Sequence, residues 1–220
     1  MDDKQILRHV DHTLLKSTAS WSEIEQLCNE SLKYQTASVC VPPCYIKRIR
    51  KAFPTINICT VIGFPLGYDS TYAKLAEAQN AIDDGADELD MVVNLADVKN
   101  KSFKAVYAEI AALKAVVGSK ILKVIIETCY LTEAEKVALC HAVTNAGADY
   151  IKTSTGFGTA GATMEDIELF KLHTGPDVKI KAAGGIRTRE DMVAFIEAGC
   201  DRLGTSSAIK ILTENQSDGY

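Results

Sequence analysis

Short β-branched runs alternate with longer amphipathic stretches along the whole of this 220-residue chain, and that alternation constrains the fold more than any other feature. The runs are Val10 to Leu14, Ala37 to Val41, Ile56 to Ile62, Glu88 to Val93, Leu122 to Glu127, Tyr150 to Ser154, Val178 to Ala183 and Arg202 to Thr205. Between them, Trp21 to Lys33, Thr71 to Asp84, Ser102 to Val117, Thr132 to Ala146 and Arg189 to Ala198 carry apolar residues at helical spacing. Nearly continuous apolar strands joined by helical crossovers form a parallel sheet covered on its faces. A recurring corner argues for one repeated unit: Gly85-Ala86-Asp87 and Gly147-Ala148-Asp149, with Gly199-Cys200-Asp201 as a variant, each close a helix and open a strand. Glycine suits the position after a helix, where the backbone turns left-handed. Eight such units, in a single domain spanning residues 1–220, predict a compact (β/α)8 TIM barrel of the α/β class. An open doubly wound sheet is the alternative, but no Gly-x-Gly-x-x-Gly or Walker pattern follows an early strand.

At 47% hydrophobic residues the chain buries a full core without disulfide or metal staples. The net charge of −5 is spread over interleaved acids and bases, so there is no basic stripe for nucleic acid or a membrane surface. Met1-Asp2-Asp3-Lys4-Gln5 lacks the apolar run of a secretion signal and no stretch matches a membrane span, which makes a cytoplasmic location the expectation. Seven cysteines, an odd number scattered through apolar segments, suit a reducing compartment better than a disulfide framework.

The active site of such a barrel lies at the C-terminal ends of its strands. There, Tyr150-Ile151-Lys152-Thr153-Ser154-Thr155-Gly156 places Lys152 inside an apolar run that ends in glycine. Burial and a nearby cation both favour the neutral amine, the form that condenses with a carbonyl to give a Schiff base. Val178-Lys179-Ile180-Lys181-Ala182-Ala183-Gly184-Gly185 repeats the arrangement with Lys181, and alternation puts Lys179 on the same face. Asp90, flanked by Leu89 and Met91, needs a partner, whether as a structural ion pair with a lysine or as a catalytic acid. Asp11 and Glu127 are acids at strand ends for which supporting roles are expected, and His12 is expected to be a satisfied hydrogen-bonding residue. With four histidines and no His-Glu-x-x-His pattern, the chemistry is expected to need no metal. Gly184-Gly185 after the seventh strand and Gly204-Thr205-Ser206-Ser207 after the eighth sit where barrels hold a phosphate, although each alone is equally an ordinary turn or helix cap.

Six segments in this order resemble class I deoxyribose-phosphate aldolases: Val10-Asp11-His12-Thr13-Leu14-Leu15, Gly63-Phe64-Pro65-Leu66-Gly67, Glu88-Leu89-Asp90-Met91-Val92, Leu122 to Thr128, Ile151 to Phe157 and Lys181 to Arg187. The resemblance implies a TIM barrel that cleaves 2-deoxy-D-ribose 5-phosphate reversibly to acetaldehyde and D-glyceraldehyde 3-phosphate, with no metal or organic cofactor. It implies Lys152 as the Schiff-base lysine, Lys181 as the cation that disfavours its protonated form, and Asp90 as the carboxylate of a proton relay. Asp11, Cys40, Thr155 and Tyr220 are expected to support them. Gly156, Gly184, Gly185, Gly204, Ser206 and Ser207 are expected to anchor the phosphate through backbone and hydroxyl donors. Cys40 is expected to face the barrel mouth, where a thiol would meet product aldehyde. Tyr220 corresponds to a terminal tyrosine that assists proton transfer in some members. The partners implied are small phosphosugars and aldehydes, with a homo-oligomer, dimer or tetramer, as the assembly. Two positions depart from the pattern: Phe157 stands where some members carry a phosphate-binding lysine, and Lys179 where a small residue is expected. A phosphosugar isomerase or synthase, and a barrel that binds a sugar phosphate without catalysis, are the competing readings.

Overall fold

The computed structural model describes residues 1–214. Eight strands, β1 (Val10–Thr13), β2 (Ser38–Val41), β3 (Ile58–Ile62), β4 (Glu88–Val92), β5 (Ile121–Ile125), β6 (Tyr150–Lys152), β7 (Lys179–Ala183) and β8 (Arg202–Thr205), pair in parallel in chain order, and β8 closes on β1. The helices are α1 (Asp3–Leu7), α2 (Trp21–Tyr34), α3 (Ile46–Ala52), α4 (Thr71–Asp83), α5 (Leu95–Lys99), α6 (Phe103–Val117), α7 (Glu133–Asn145), α8 (Met164–His173), α9 (Arg189–Glu197) and α10 (Ala208–Glu214). The closed barrel expected from the alternation is the fold. Among the described residues, no helix is long and apolar enough to cross a membrane.

The three recurring corners have a shared mechanical role. Gly85, Gly147 and Gly199 take positive φ at the helix ends. The aspartate that follows each then accepts a backbone N–H from the preceding strand: Ile58 to Asp87 at 2.9 Å, Leu122 to Asp149 at 2.8 Å and Ile180 to Asp201 at 3.2 Å. Each corner therefore pins an even strand to the odd strand before it. Helix starts are equally local. Ser20, Thr132 and Thr188 form capping boxes with Glu23, Glu135 and Asp191, satisfying amides that the first turn leaves open.

Strand alternation sends Val39, Val41, Ile58, Ile62, Leu89, Met91, Val124 and Ile151 outward, where they and the helices form the main apolar core. The inward face is different in kind. Asp11, Glu88, Asp90, Lys123, Lys152 and Lys181 point into the barrel and are nearly or fully buried there, in an interior that other barrels fill with branched aliphatics. Several strands end earlier than the apolar runs suggest, because their last residues leave the sheet to build the mouth. β6 stops at Lys152 and releases Thr153, Ser154 and Thr155 into the loop; β5 stops at Ile125, and Glu127 turns left-handed with φ 53°.

Candidate active site

Register brings the interior charges together. Asp90 lies opposite Lys123, and Lys152 opposite Lys181, on neighbouring strands. The Asp90 carboxylate is the hub. Its Oδ2 accepts from Lys152 Nζ at 2.8 Å and from Lys181 Nζ at 2.7 Å, and its Oδ1 accepts from Lys123 Nζ at 2.8 Å. Lys181 also donates to Asp11 Oδ2 at 2.5 Å, while Asp11 Oδ1 accepts from Ser38 Oγ at 2.8 Å and from Arg202 Nη1 at 2.5 Å. Glu88 completes the array, 2.6 Å from Lys123 Nζ and 3.0 Å from Arg202 Nη2. Lys152, Lys181, Asp90 and Asp11 are thus brought into one cluster. Lys123, Glu88 and Arg202 join it from positions that sequence reasoning passed over.

The electrostatics follow from who faces whom. Burial penalises the Asp90 carboxylate, but Lys123, Lys152 and Lys181 outweigh that penalty and hold its carboxyl well below the usual range. Asp11 behaves alike: burial opposes its charge, and Lys181, Lys123 and Arg202 prevail. Burial likewise works against the Lys181 ammonium, yet Asp11 and Asp90 hold its pKa above the ordinary lysine value. Lys181 is therefore a fixed cation that shares one carboxylate oxygen with Lys152.

Lys179 shares the inward face of Lys181, as alternation requires, but lies two residues lower. It is exposed at the opposite end of the barrel, with Nζ 5.8 Å from the centre of the Tyr150 ring. Tyr150, one of the inward residues below Lys152, also has Arg202 and Lys123 near its ring. His12 points outward, with Nε2 2.8 Å from Glu30. Cys40 lies deeper than a mouth position: it is buried in a small interior cluster with Cys59 and Val61, against which Leu15 and Phe64 pack. A hydrogen bond with Cys59 is the main cause that lowers its thiol pKa. Tyr220 lies outside the described residues.

A cavity of about 410 Å³ opens above Lys152. Thr155, Gly156, Gly184, Gly185, Gly204, Ser206 and Ser207 line it, so every expected phosphate-binding position borders the space reached by the lysine. Close approach requires glycine at position 161 and makes it a tight fit for any other residue at 204. A Cβ on Gly161 would lie 2.2 Å from the Gly184 carbonyl, so only glycine lets the loop after β6 press against the loop after β7; Gly184 itself has φ 77°. Gly204 leaves room for Lys181, whose Cε would lie 3.2 Å from an added Cβ. Thr155 fixes the β6 loop: its amide and hydroxyl donate to the buried Glu127 carboxylate, and its Oγ1 accepts from the Phe157 amide at 3.0 Å. Two cations, Lys16 and Arg187, line the cavity beside these backbone and hydroxyl groups. Phe157 turns toward Phe64, edge to face at 5.4 Å. A larger cavity of about 800 Å³, between α2 and α10, lies outside the barrel and touches none of the interior lysines.

Comparison with known proteins agrees with this geometry. Residues 5–206 match the family described as DeoC/LacD family aldolase. The chain is 63% identical to a deoxyribose-phosphate aldolase of Clostridium botulinum (strain Alaska E43 / Type E3), over the full length of both. Its structure resembles that of a putative deoxyribose-phosphate aldolase from Coccidioides immitis, with a TM-score of 0.94 and 40% identity over 98% of this chain and 87% of the other. It also resembles a tetrameric deoxyribose phosphate aldolase from Aeropyrum pernix, with a TM-score of 0.89 and 32% identity over 98% and 93% of the two chains. A lysine-lined barrel of this sequence belongs to the DeoC/LacD aldolase family.

Proposed function

We propose that this aldolase cleaves 2-deoxy-D-ribose 5-phosphate reversibly to acetaldehyde and D-glyceraldehyde 3-phosphate through a Schiff base on Lys152. One observation carries the reading: Lys152 Nζ, at the floor of a cavity walled by the β6, β7 and β8 loops, shares Asp90 Oδ2 with the Lys181 ammonium. Three carboxylates, Asp11, Glu88 and Asp90, are matched within the network by Lys123, Lys181 and Arg202. The charges of these six groups balance without counting Lys152, whose amine is the nucleophile once it has lost its proton.

The amine attacks C1 of the open-chain sugar, and loss of water leaves an iminium that draws electrons from the C2–C3 bond. A base takes the C3 hydroxyl proton as that bond breaks, giving a C3 aldehyde and an enamine on Lys152. Asp90 is the carboxylate of this relay, directly or through water, with Lys181 as its fixed cationic partner. Glyceraldehyde phosphate leaves, the enamine carbon takes a proton, and water hydrolyses the resulting iminium to release acetaldehyde and the free amine. The glycine loops with Ser206, Ser207, Lys16 and Arg187 hold the phosphate at the rim. The reading includes no metal or organic cofactor, a cytoplasmic location, no nucleic-acid partner, and a homo-oligomer, for which the tetrameric relative is the precedent.

Borohydride reduction in the presence of deoxyribose phosphate or acetaldehyde tests it. A Schiff-base aldolase gains the reduced carbon fragment on Lys152, and Lys152→Met abolishes both adduct and turnover. An isomerase, a synthase or a non-catalytic sugar-phosphate binder gains no such mass, and its absence from Lys152 would overturn the proposal.

A further inference from the structure

Cys40 and Cys59 lie directly opposite each other on β2 and β3, both side chains inward and both buried. Cys59 Sγ donates to Asp90 Oδ1 at 3.1 Å and accepts from Lys123 Nζ at 3.2 Å. The two sulfurs and an Asp90 oxygen lie within 4.8 Å of one another. Donors this close can converge on one tetrahedral soft cation with a small shift: with metal–sulfur bonds of about 2.3 Å, two sulfurs on one ion stand about 3.8 Å apart. Paired sulfur donors with a single carboxylate select zinc-like ions over magnesium or calcium.

We propose that Cys40, Cys59 and Asp90 form a binding site for a soft divalent cation of the zinc or cadmium type, and that filling this site switches the aldolase off. The charge account permits it. Two thiol protons leave as one dication enters, so the balanced interior network keeps its net charge, which a cation bound by neutral ligands would not allow. The consequence for catalysis is direct. Asp90 Oδ1, now held by Lys123 and Cys59, is drawn to the metal, and the Oδ2 that serves Lys152 and Lys181 moves with it. Access is short, because Leu15, half-buried, packs against the thiol cluster and also lines the cavity above Lys152. Three other cysteines do not compete by position: Cys28, Cys140 and Cys200 are buried in the main apolar core, apart from the cluster that holds Cys40 and Cys59. Cys44 is exposed and Cys129 half-buried, so both are the thiols to remove in a test.

The inhibitory half of this proposal rests on the aldolase reading above, whereas the binding half does not, so the two are measured separately. Metal-free enzyme carrying Cys44→Ser and Cys129→Ser is titrated with cadmium while thiolate-to-metal absorption is followed without substrate; deoxyribose phosphate cleavage is followed in parallel. One equivalent should bind with two sulfurs in its coordination shell by X-ray absorption, turnover should fall with the same midpoint, chelation should restore it, and magnesium at the same concentration should do nothing. Cys59→Ala and, separately, Cys59→Ser in that background should shift the cadmium midpoint by at least roughly ten-fold, each judged against its own metal-free rate. A midpoint unchanged in either variant, a shell with fewer than two sulfurs, or full turnover with the site saturated would overturn the proposal. Because the X-ray measurement uses the background protein alone, poor folding of a Cys59 variant does not shelter it.

Discussion

Replacing Lys123 with methionine tests whether the barrel interior acts as one balanced unit. The side chain is fully buried, with Nζ 2.6 Å from Glu88, 2.8 Å from Asp90 and 3.7 Å from Asp11. Methionine fills similar volume without a donor, so the variant leaves three buried carboxylates facing one cation fewer. Breaking a buried ion pair from one side costs about 3–5 kcal/mol. Coulomb's law at an effective dielectric of about 20 gives about 4 kcal/mol for charges about 4 Å apart, the same order. Adding Glu88→Gln removes one orphaned charge, so Glu88→Gln/Lys123→Met should be about 2 kcal/mol more stable than the sum of the single effects predicts. Urea unfolding of the parent, both single variants and the double variant measures that coupling. Activity should behave differently. Lys123 clamps Oδ1 of Asp90 while Oδ2 serves Lys152 and Lys181, so kcat should fall about 10–100-fold in both Lys123 variants, with borohydride labelling of Lys152 retained. Stabilities that add to within about 0.5 kcal/mol, or native kcat in Lys123→Met, would refute the reasoning.

Arg187→Ala, alone and with Lys16→Ala, should raise KM for deoxyribose 5-phosphate about ten-fold and steepen no dependence for unphosphorylated deoxyribose; equal effects on both sugars in steady-state assays would remove these cations from phosphate binding. Thr155→Val deletes the hydroxyl donor to buried Glu127 while keeping the amide bond, and should cost about 2 kcal/mol in chemical unfolding. An unchanged midpoint would show that the β6 loop does not depend on that contact. The lowered Asp11 and Asp90 carboxyls contribute stability that is full above about pH 3.9, shrinks below it and is gone once pH passes beneath their folded values. The raised Lys181 and Lys123 ammonium groups contribute stability that is full below about pH 10.4 and is lost as pH climbs through their folded values. Between those limits the network's contribution should be flat, and Asp11→Asn should flatten the acid limb of the unfolding midpoint against pH. An acid limb of unchanged slope in that variant would contradict the assignment.

How far the chain discloses its site depends on which level of the barrel a residue occupies. Lys152 and Lys181 are legible because each is an inward lysine near the end of an apolar strand that runs into a glycine loop, so local pattern alone places it at the mouth. The corner aspartates are legible for a similar reason: glycine ends a helix, and the next acid caps the sheet. Lys123 sits one layer lower, between Leu122 and Val124 and followed by more apolar residues, so no nearby turn marks it. The same holds for Arg202, which opens β8 and reaches back to Asp11 and Glu88 across the closure of the barrel. Which inward residues touch is set by the stagger between strands: β4 and β5 bring Lys123 to Asp90 and Glu88 as neighbours, but Lys123 reaches Asp11, and Arg202 reaches Glu88, only across the closed ring. Short helices such as α3, α5 and α10 escape for want of enough turns to display a period. The rim is the least legible level. Phe157 pairs with Phe64 while still bordering the cavity, and Lys16 and Arg187, far apart in the chain but following β1 and β7, which only β8 separates around the ring, border the same cavity. Loop lengths decide that outcome, and no strand period encodes it. A barrel of this kind therefore reveals its reacting amine by local pattern, whereas the charges that hold that amine's partner in place emerge only from strand register and closure together.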